Sequence, residues 1–317
     1  MNRYAVFGGC LSSEVDFPEL MPCSDPVTNW MLSTTTCIRH SEPSEYLGKD
    51  QVDPNIQVRL YRTDRGYLLR FDDTGDFLIS DDGLSIEWCP ASGARLEAAR
   101  IDLLGRVLPL ALHVRGTFCL HGSAVAFQSG GIAFLAPKFG GKSTLALALT
   151  NGGARLGTDD TVAVDPGPPA RLQPGVHALR LWVDSTSRLS DVPLRDTLPG
   201  DKQLVEPPAH RLQVDPVSLQ AIYLLSPIPK ARVAARRQRM SQVPSALALV
   251  RHAKLGPLFG GPQSVVWLRW AAALARTVPV YQLDIVRDFE RLPEVVGIIG
   301  EWHGEQAEAG LPLQVGA

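Results

Sequence analysis

The sequence predicts an α/β chain, with a smaller β-rich N-terminal module ahead of a larger C-terminal part. Three observations carry this. Between Ile56 and Trp88, apolar and polar residues alternate in short runs parted by turn residues. From Ala94 the apolar spacing changes to threes and fours. After Phe118, an apolar run leads into a Gly-rich loop and then a helix-forming stretch.

The elements follow in order. Residues 1–55 show no period, and SEPSEYLGKDQVDPN (41–55) reads as loop from its Ser, Pro, Gly and Asp. IQVRLYR (56–62), GYLLRF (66–71), DFLIS (76–80) and LSIEW (84–88) read as successive hairpin strands with one half-buried face. Leu96, Ala99, Leu103, Val107 and Leu110 mark a closing helix that Pro109 would kink or stop, with Gly116 past its end. SAVAF (123–127) and GIAFLA (131–136) form a hairpin across Ser129-Gly130-Gly131, and the second strand is apolar throughout, as a central strand is. STLALALTNGG (143–153) is a short helix capped by Gly152 or Gly153. TVAVD (161–165), LQAIYLL (219–225), RVAARRQRM (232–240) and VPVYQLDI (278–285) are further strands. Helices are expected at 244–254, 265–276 and 292–302, and Pro-rich connections at 166–174 and 192–208. The expected division is 1–104, 105–303 and a patternless tail, 304–317.

Composition narrows the classes of function. With 317 residues, 45% hydrophobic and 20% charged, the chain can bury a large core and is not disordered as a whole. A formal net charge of −2 gives no bulk attraction to nucleic acid or to an anionic membrane, and neither partner is expected. No apolar run approaches the roughly 18 residues of a spanning helix. The first residues, MNRYAVFGGCLSSEV, make a poor signal peptide, with Glu14 and Asp16 too early. Five cysteines, at 10, 23, 37, 89 and 119, form no CxxC and have no zinc-spaced histidines. They read as reduced, structural thiols of a cytoplasmic protein. Association into a homo-oligomer is left open.

The strongest motif is Ala136-Pro137-Lys138-Phe139-Gly140-Gly141-Lys142-Ser143-Thr144, which follows an apolar strand and opens a helix. Backbone N–H groups of such a loop converge on phosphate oxygens, and the helix N-terminus adds free donors and a positive dipole end. Lys142 would reach the terminal phosphates, and the Ser143 hydroxyl would sit on Mg²⁺. Ala136 stands where the usual pattern has Gly, which makes the loop entry less permissive. Asp159-Asp160 follow the helix. Adjacent carboxylates at a strand edge point to different sides, so one can hold Mg²⁺ while the other handles a proton. The alternative is a turn with two solvated acids. His121 precedes the hairpin. Antiparallel pairing of 122–128 with 131–136 would place Leu120 to Gly122 beside Ala136, and His121 by the phosphates; a strand-end histidine with no role is the other reading.

Together these residues resemble the catalytic domain of bacterial HPr kinase/phosphorylase, whose core is shared with phosphoenolpyruvate carboxykinases. The phrases LHGSAV, GKSTLALAL, LGTDD, HALRLW and TVPVYQL carry the likeness over roughly 105–303. The nearer likeness is to the divergent HPr-kinase-like proteins, some of which tailor ribosomal peptides such as lasso peptide precursors. The resemblance implies a P-loop kinase core that uses ATP and Mg²⁺ on a serine hydroxyl. It assigns Lys142 and Ser143 to the loop, Asp159 to the general base, Asp160 to the second acid of the pair, and the family's characteristic histidine to His121. Pro137 replaces the family's loop Asp and Thr144 its Glu after the serine, and the second signature is absent, which weakens phosphorolysis and HPr itself as substrate.

On this reading Ser143 and Asp160 position Mg²⁺, Asp159 accepts the hydroxyl proton, and His121 tunes that carboxylate or the phosphate. The acceptor is expected to be a peptide or protein. A kinase of a small metabolite and a non-catalytic nucleotide-dependent regulator are the rivals. Five basic residues between Lys230 and Arg239 could clamp phosphates or an acidic peptide, or form a solvated face. Arg180 and Lys202 lie in loop-rich stretches where a transferase places neutralising charge. Trp182, Trp267 and Trp270 read as core.

Overall fold

The computed structural model describes residues 1–36, 43–165, 167–189, 195–198, 202–259 and 262–304, with the backbone alone at 195–198 and 262–264. The fold is mixed α/β. The N-terminal part is a nine-stranded sheet in the order Met21–Pro22, Asn2–Val6, Gly9–Ser13, Trp30–Thr34, Ser85–Pro90, Gly75–Ser80, Gly66–Phe71, Ile56–Thr63, Glu45–Asp53. The four expected hairpin strands pair antiparallel in sequence order. Residues 1–55, expected to be irregular, instead supply five strands. Glu45–Asp53, inside the expected loop, is the edge strand beside Ile56–Thr63. No residue of it is buried, so it has no apolar alternation to reveal it. Cys37 and the tail beyond Gly304 lie outside the described residues.

The closing helix does not stop at Pro109. It runs as Leu96–Asp102, a π-turn at Leu103–Val107, and Leu108–Val114. The Leu108 N–H reaches back to the Leu103 carbonyl, one residue further than in an α-helix. This widened turn takes up the register change just ahead of Pro109, whose missing N–H then falls in the first turn of the next segment, where it is tolerated. The expected boundary after residue 104 falls inside this helix. One buried cluster crosses it, joining Phe17, Leu60 and Phe77 to Leu104, Leu108, Phe118, Val162 and Ile222.

In the C-terminal part, Phe118–Phe127 and Gly130–Leu135 form the expected hairpin, in the register Gly122↔Leu135. Gly130–Leu135 also lies parallel to Val217–Ile228, which makes it central. The long strand Phe118–Phe127 divides its other edge between Thr161–Asp165 and Arg155–Thr158. The sheet continues through Val280–Val286 to Ala235–Arg239. A second departure concerns the Pro-rich connection at 192–208. Leu179–Trp182, Lys202–Val205 and Arg195–Leu198 pair into a separate three-stranded sheet, so Arg180 and Lys202 sit on strands rather than in loops. Among the described residues, no helix is long and apolar enough to cross a membrane.

Candidate active site

The loop begins where the central strand ends at Leu135 and runs into the helix Lys142–Asn151. Its tight path is fixed by two backbone features. Phe139 and Gly141 both have left-handed φ, +69° and +83°. A Cβ on Gly140 would lie 2.4 Å from the Ala136 Cβ, so the methyl at the Gly-like position 136 is accommodated because residue 140 has none. Lys142 folds back over the loop, donating to the carbonyls of Ala136 at 2.9 Å and Pro137 at 3.2 Å. Burial pushes its pKa down, against the opposing pull of Asp159 and Asp160. Lys202, on the neighbouring small sheet, is pushed down by burial in the same way and faces the same two acids. Two desolvated ammonium groups beside a helix N-terminus make a setting suited to a polyanion.

The rest of the loop points outward. Pro137 and Lys138 are exposed, and Thr144 shares a hydrogen bond of 3.1 Å with Ser185. The Phe139 ring, 60% exposed, stacks on Trp182 at 5.5 Å, and Lys202 Nζ lies 5.3 Å from the Trp182 ring centre. Trp182 is therefore not a core residue as expected, whereas Trp267 is buried.

The acid pair sits in a tight turn between Arg155–Thr158 and Thr161–Asp165, with Asp160 at φ +66°. That inversion sends the two carboxylates in different directions. Asp159 turns to the loop. It accepts from the Ser143 hydroxyl, at 2.8 and 3.0 Å to its two oxygens, and from the Ser123 hydroxyl at 2.5 Å. The Arg180 N–H also approaches it, at 3.4 Å. Asp160 turns away from the loop. Lys254 Nζ contacts its Oδ2 at 2.6 Å and its carbonyl at 3.2 Å, and His121 Nδ1 lies 3.4 Å from Oδ1. The Asp160 side chain is 49% exposed, and it lines a cavity. Burial works against its charge, but Lys254 and His121 outweigh that and hold its pKa well below the ordinary carboxylate range.

Ser143 thus meets Asp159 and not Asp160. The expected sharing of one Mg²⁺ by Ser143 and Asp160 does not match this arrangement, because the left-handed turn gives Asp160 to Lys254. The donor set at Ser143 and Asp159, one hydroxyl and one carboxylate, does fit a Mg²⁺ ion completed by phosphate and water. His121, expected by the phosphates and tuning Asp159 or the phosphate, lies against Asp160.

Two partners were not visible in advance. Ser123 stands two residues after His121 on one strand, so both face the same side, and period-two reading could have found it. Lys254 had no such signal. It arrives because the chain after the helix Gln242–Arg251 pairs with the strand start, His121 N–H to His252 O at 2.7 Å and Lys254 N–H to Cys119 O at 2.9 Å. The basic stretch lies elsewhere. Arg237 is wedged between Tyr281 and Trp302 and donates to the Tyr223 hydroxyl at 2.9 Å, while Lys230, Arg232, Arg236 and Arg239 are solvent-exposed. Cys119 is buried and its thiol is pushed up to about 12, mainly by burial, as suits a structural cysteine.

No protein-family model matches the chain, and no curated protein matches it. Among solved structures it is similar to the Hpr(Ser) kinase/phosphatase from Coxiella burnetii, at 12% identity and a TM-score of 0.32, over 58% of this chain and 95% of that one. The functional reading rests on the residues of the site.

Proposed function

We propose that the chain is a kinase that moves the γ-phosphoryl group of ATP, with Mg²⁺, onto a hydroxyl, with serine of a peptide or protein as the acceptor. The observation that supports this most is the junction between loop and acid pair. The loop serine lies 2.8 Å from one carboxylate of a pair whose other member faces a cavity. A phosphate-binding loop alone would suit any nucleotide protein; an acid pair that touches the loop on one side and open space on the other suits transfer.

The loop amides and the helix N-terminus hold the phosphates, and Lys142 and Lys202 neutralise them. Ser143 and Asp159 would hold Mg²⁺, which when bound neutralises charge on the phosphates. Asp160 receives the acceptor's proton. The bond from the γ-phosphorus to the bridging oxygen breaks, the bond to the acceptor oxygen forms, and ADP leaves. A carboxylate of low pKa is adequate here, because phosphoryl transfer depends mainly on positioning the hydroxyl and on electrostatic stabilisation. Lys254 and His121 keep Asp160 charged and aimed. This reverses the division expected from sequence, in which Asp159 took the proton. The distances favour the reversal.

Incubation with ATP, Mg²⁺ and hydroxyl acceptors, read by mass spectrometry, tests the proposal. A phosphate mass increment on an acceptor is the expected result. ATP bound with no transfer to any acceptor would leave a nucleotide-dependent regulator instead.

A further inference from the structure

The acid pair stands between two spaces. On the Asp160 side lies a cavity of about 270 Å³, lined by both acids and, from the N-terminal module, by Glu19 and Glu97. No residue of 136–144 lines it. An acceptor hydroxyl that meets Asp160 therefore comes from the cavity, and the phosphate donor lies on the loop side.

One face of the small sheet runs from the cavity to the loop. In Leu179–Trp182 the side chains of Leu179 and Leu181 are buried, so Arg180 and Trp182 share the opposite face. Arg180 pairs with Leu204, and both line the cavity. Trp182 pairs with Lys202, and both lie at the loop. The loop end of this face carries aromatic surface beside positive charge. Trp182 stacks on Phe139 with 22° between the ring planes. Lys202 Nζ lies 5.3 Å from the Trp182 ring centre, and Lys138 Nζ 5.9 Å from that of Phe139. Trp182 covers one face of the Phe139 ring, yet the residue remains 60% exposed. A ring left open to water forgoes the gain of burial. Its backbone carries a second cost, because φ is +69°, in the left-handed region.

We infer that Phe139, with Trp182 behind it, is the platform on which the nucleobase of the phosphate donor stacks. The inference rests on the kinase reading, and on the donor half of it alone. Position supplies the ligand class. Phe139 is three residues ahead of Lys142, within the loop whose amides face the phosphates. A ligand that meets this ring while its phosphates fill the loop is aromatic at one end and anionic at the other. The flanking lysines suit the same description, since an ammonium group favours both an aromatic face and a phosphate. A nucleoside triphosphate has this chemistry. An aromatic side chain of the acceptor would have to lie on the loop side, away from the cavity through which its hydroxyl reaches Asp160. The phenyl ring offers a face and no hydrogen-bonding group, so it holds the base by stacking without reading its edge.

The experiment measures, by calorimetry on the full chain, the affinity for Mg-ATP and for the Mg²⁺ complex of ribose 5-triphosphate, which keeps the phosphates and lacks the base. Wild type should bind ATP about tenfold more tightly. Phe139→Leu keeps an apolar side chain but has no π-face. It should lower ATP affinity about fivefold and leave that for ribose 5-triphosphate unchanged. Phe139→Tyr should keep the wild-type ratio, which a role confined to loop shape would not explain beside the loss in Phe139→Leu. Equal affinity for the two ligands in wild type would overturn the platform and leave the phosphate loop standing. So would an unchanged ratio in Phe139→Leu, an equal loss of both ligands in that variant, or a ratio lost in Phe139→Tyr. Failure of wild type to bind either ligand would overturn the donor half of the kinase reading itself.

Discussion

The phosphate loop and the acid pair it faces are built in opposite ways. The loop is nine consecutive residues whose conformation is set locally, by two left-handed positions and one glycine too crowded for a Cβ. The acid pair is two residues held by partners from far along the chain: Ser123 and His121 on the hairpin, Ser143 on the loop helix, and Lys254 beyond a later helix. The loop can be read from a short string of letters. The pair acquires its meaning from the three-dimensional cradle, so which acid does what is decided by neighbours that no local pattern contains.

The largest expected effect tests the cradle. Asp160→Asn should lower the rate of phosphoryl transfer by about a thousandfold, with nucleotide affinity and the Mg²⁺ titration little changed. Asp159→Asn should move the Mg²⁺ midpoint to higher concentration. Reversed outcomes would restore the division expected from the sequence, and identical titrations would show that the two acids are not differentiated at all. The loop is tested next. Lys142→Ala removes an ammonium group that burial has already poised for an anion, and calorimetry should show ATP affinity falling about a hundredfold. Unchanged ATP binding would remove the loop from the site.

The contrast also explains what could be read in advance. The hairpin was legible from its glycines, but its turn is Gln128-Ser129 rather than Ser129-Gly130-Gly131, which pairs Phe127 with Gly130 and Gly122 with Leu135. The helices and the later strands lie where their spacing placed them, within a few residues. The first fifty residues did not show themselves. Trp30–Thr34 is held by parallel pairing to Gly9–Ser13 and Ser85–Pro90, contacts that leave no trace in the local sequence. The Pro-rich stretch before Glu206 hid strands of the small sheet for a similar reason. The loop motif, the acids and His121 were legible because chemistry restricts the residue types there. Lys254 and the module's share of the cavity were not, since a lysine just past a helix and a glutamate on the surface of one carry no pattern of their own.

Asp102 offers a pH test that should touch the cradle and spare the loop. It is buried on the closing helix, accepts a hydrogen bond from Thr74 at 2.7 Å, and is raised to about 7 by burial. A carboxyl whose folded pKa exceeds its unfolded value stabilises the fold while protonated. Stability is therefore greatest near and below pH 4 as far as this group is concerned, and is lost as pH rises toward and through 7. The loss should be about 2 kcal/mol, less than the full shift implies, because water relaxes around the charged form. Asp102→Asn should abolish this part of the pH dependence in denaturant melts between pH 5 and 8. A profile identical to wild type would show that Asp102 titrates normally.

The smallest expected effect separates strain from function within the loop itself. Phe139 adopts a left-handed conformation that a residue with a Cβ enters at a cost of about 1 kcal/mol, and it does so with most of its ring exposed. Among the described residues, the ring's one aromatic contact is the stack on Trp182, itself at the surface. Phe139→Gly should relieve the strain while removing the stack and loosening the unfolded chain, so the melting temperature should change by only a few degrees in either direction. ATP affinity should fall by a larger margin, more than about fivefold, because a glycine there removes the ring and also lets the loop leave the geometry that points its amides at phosphate. If affinity stays the same while stability rises, the loop holds its shape without Phe139. The left-handed phenylalanine would then be strain with no return at this site, and the loop would be set by Gly140 and Gly141 alone.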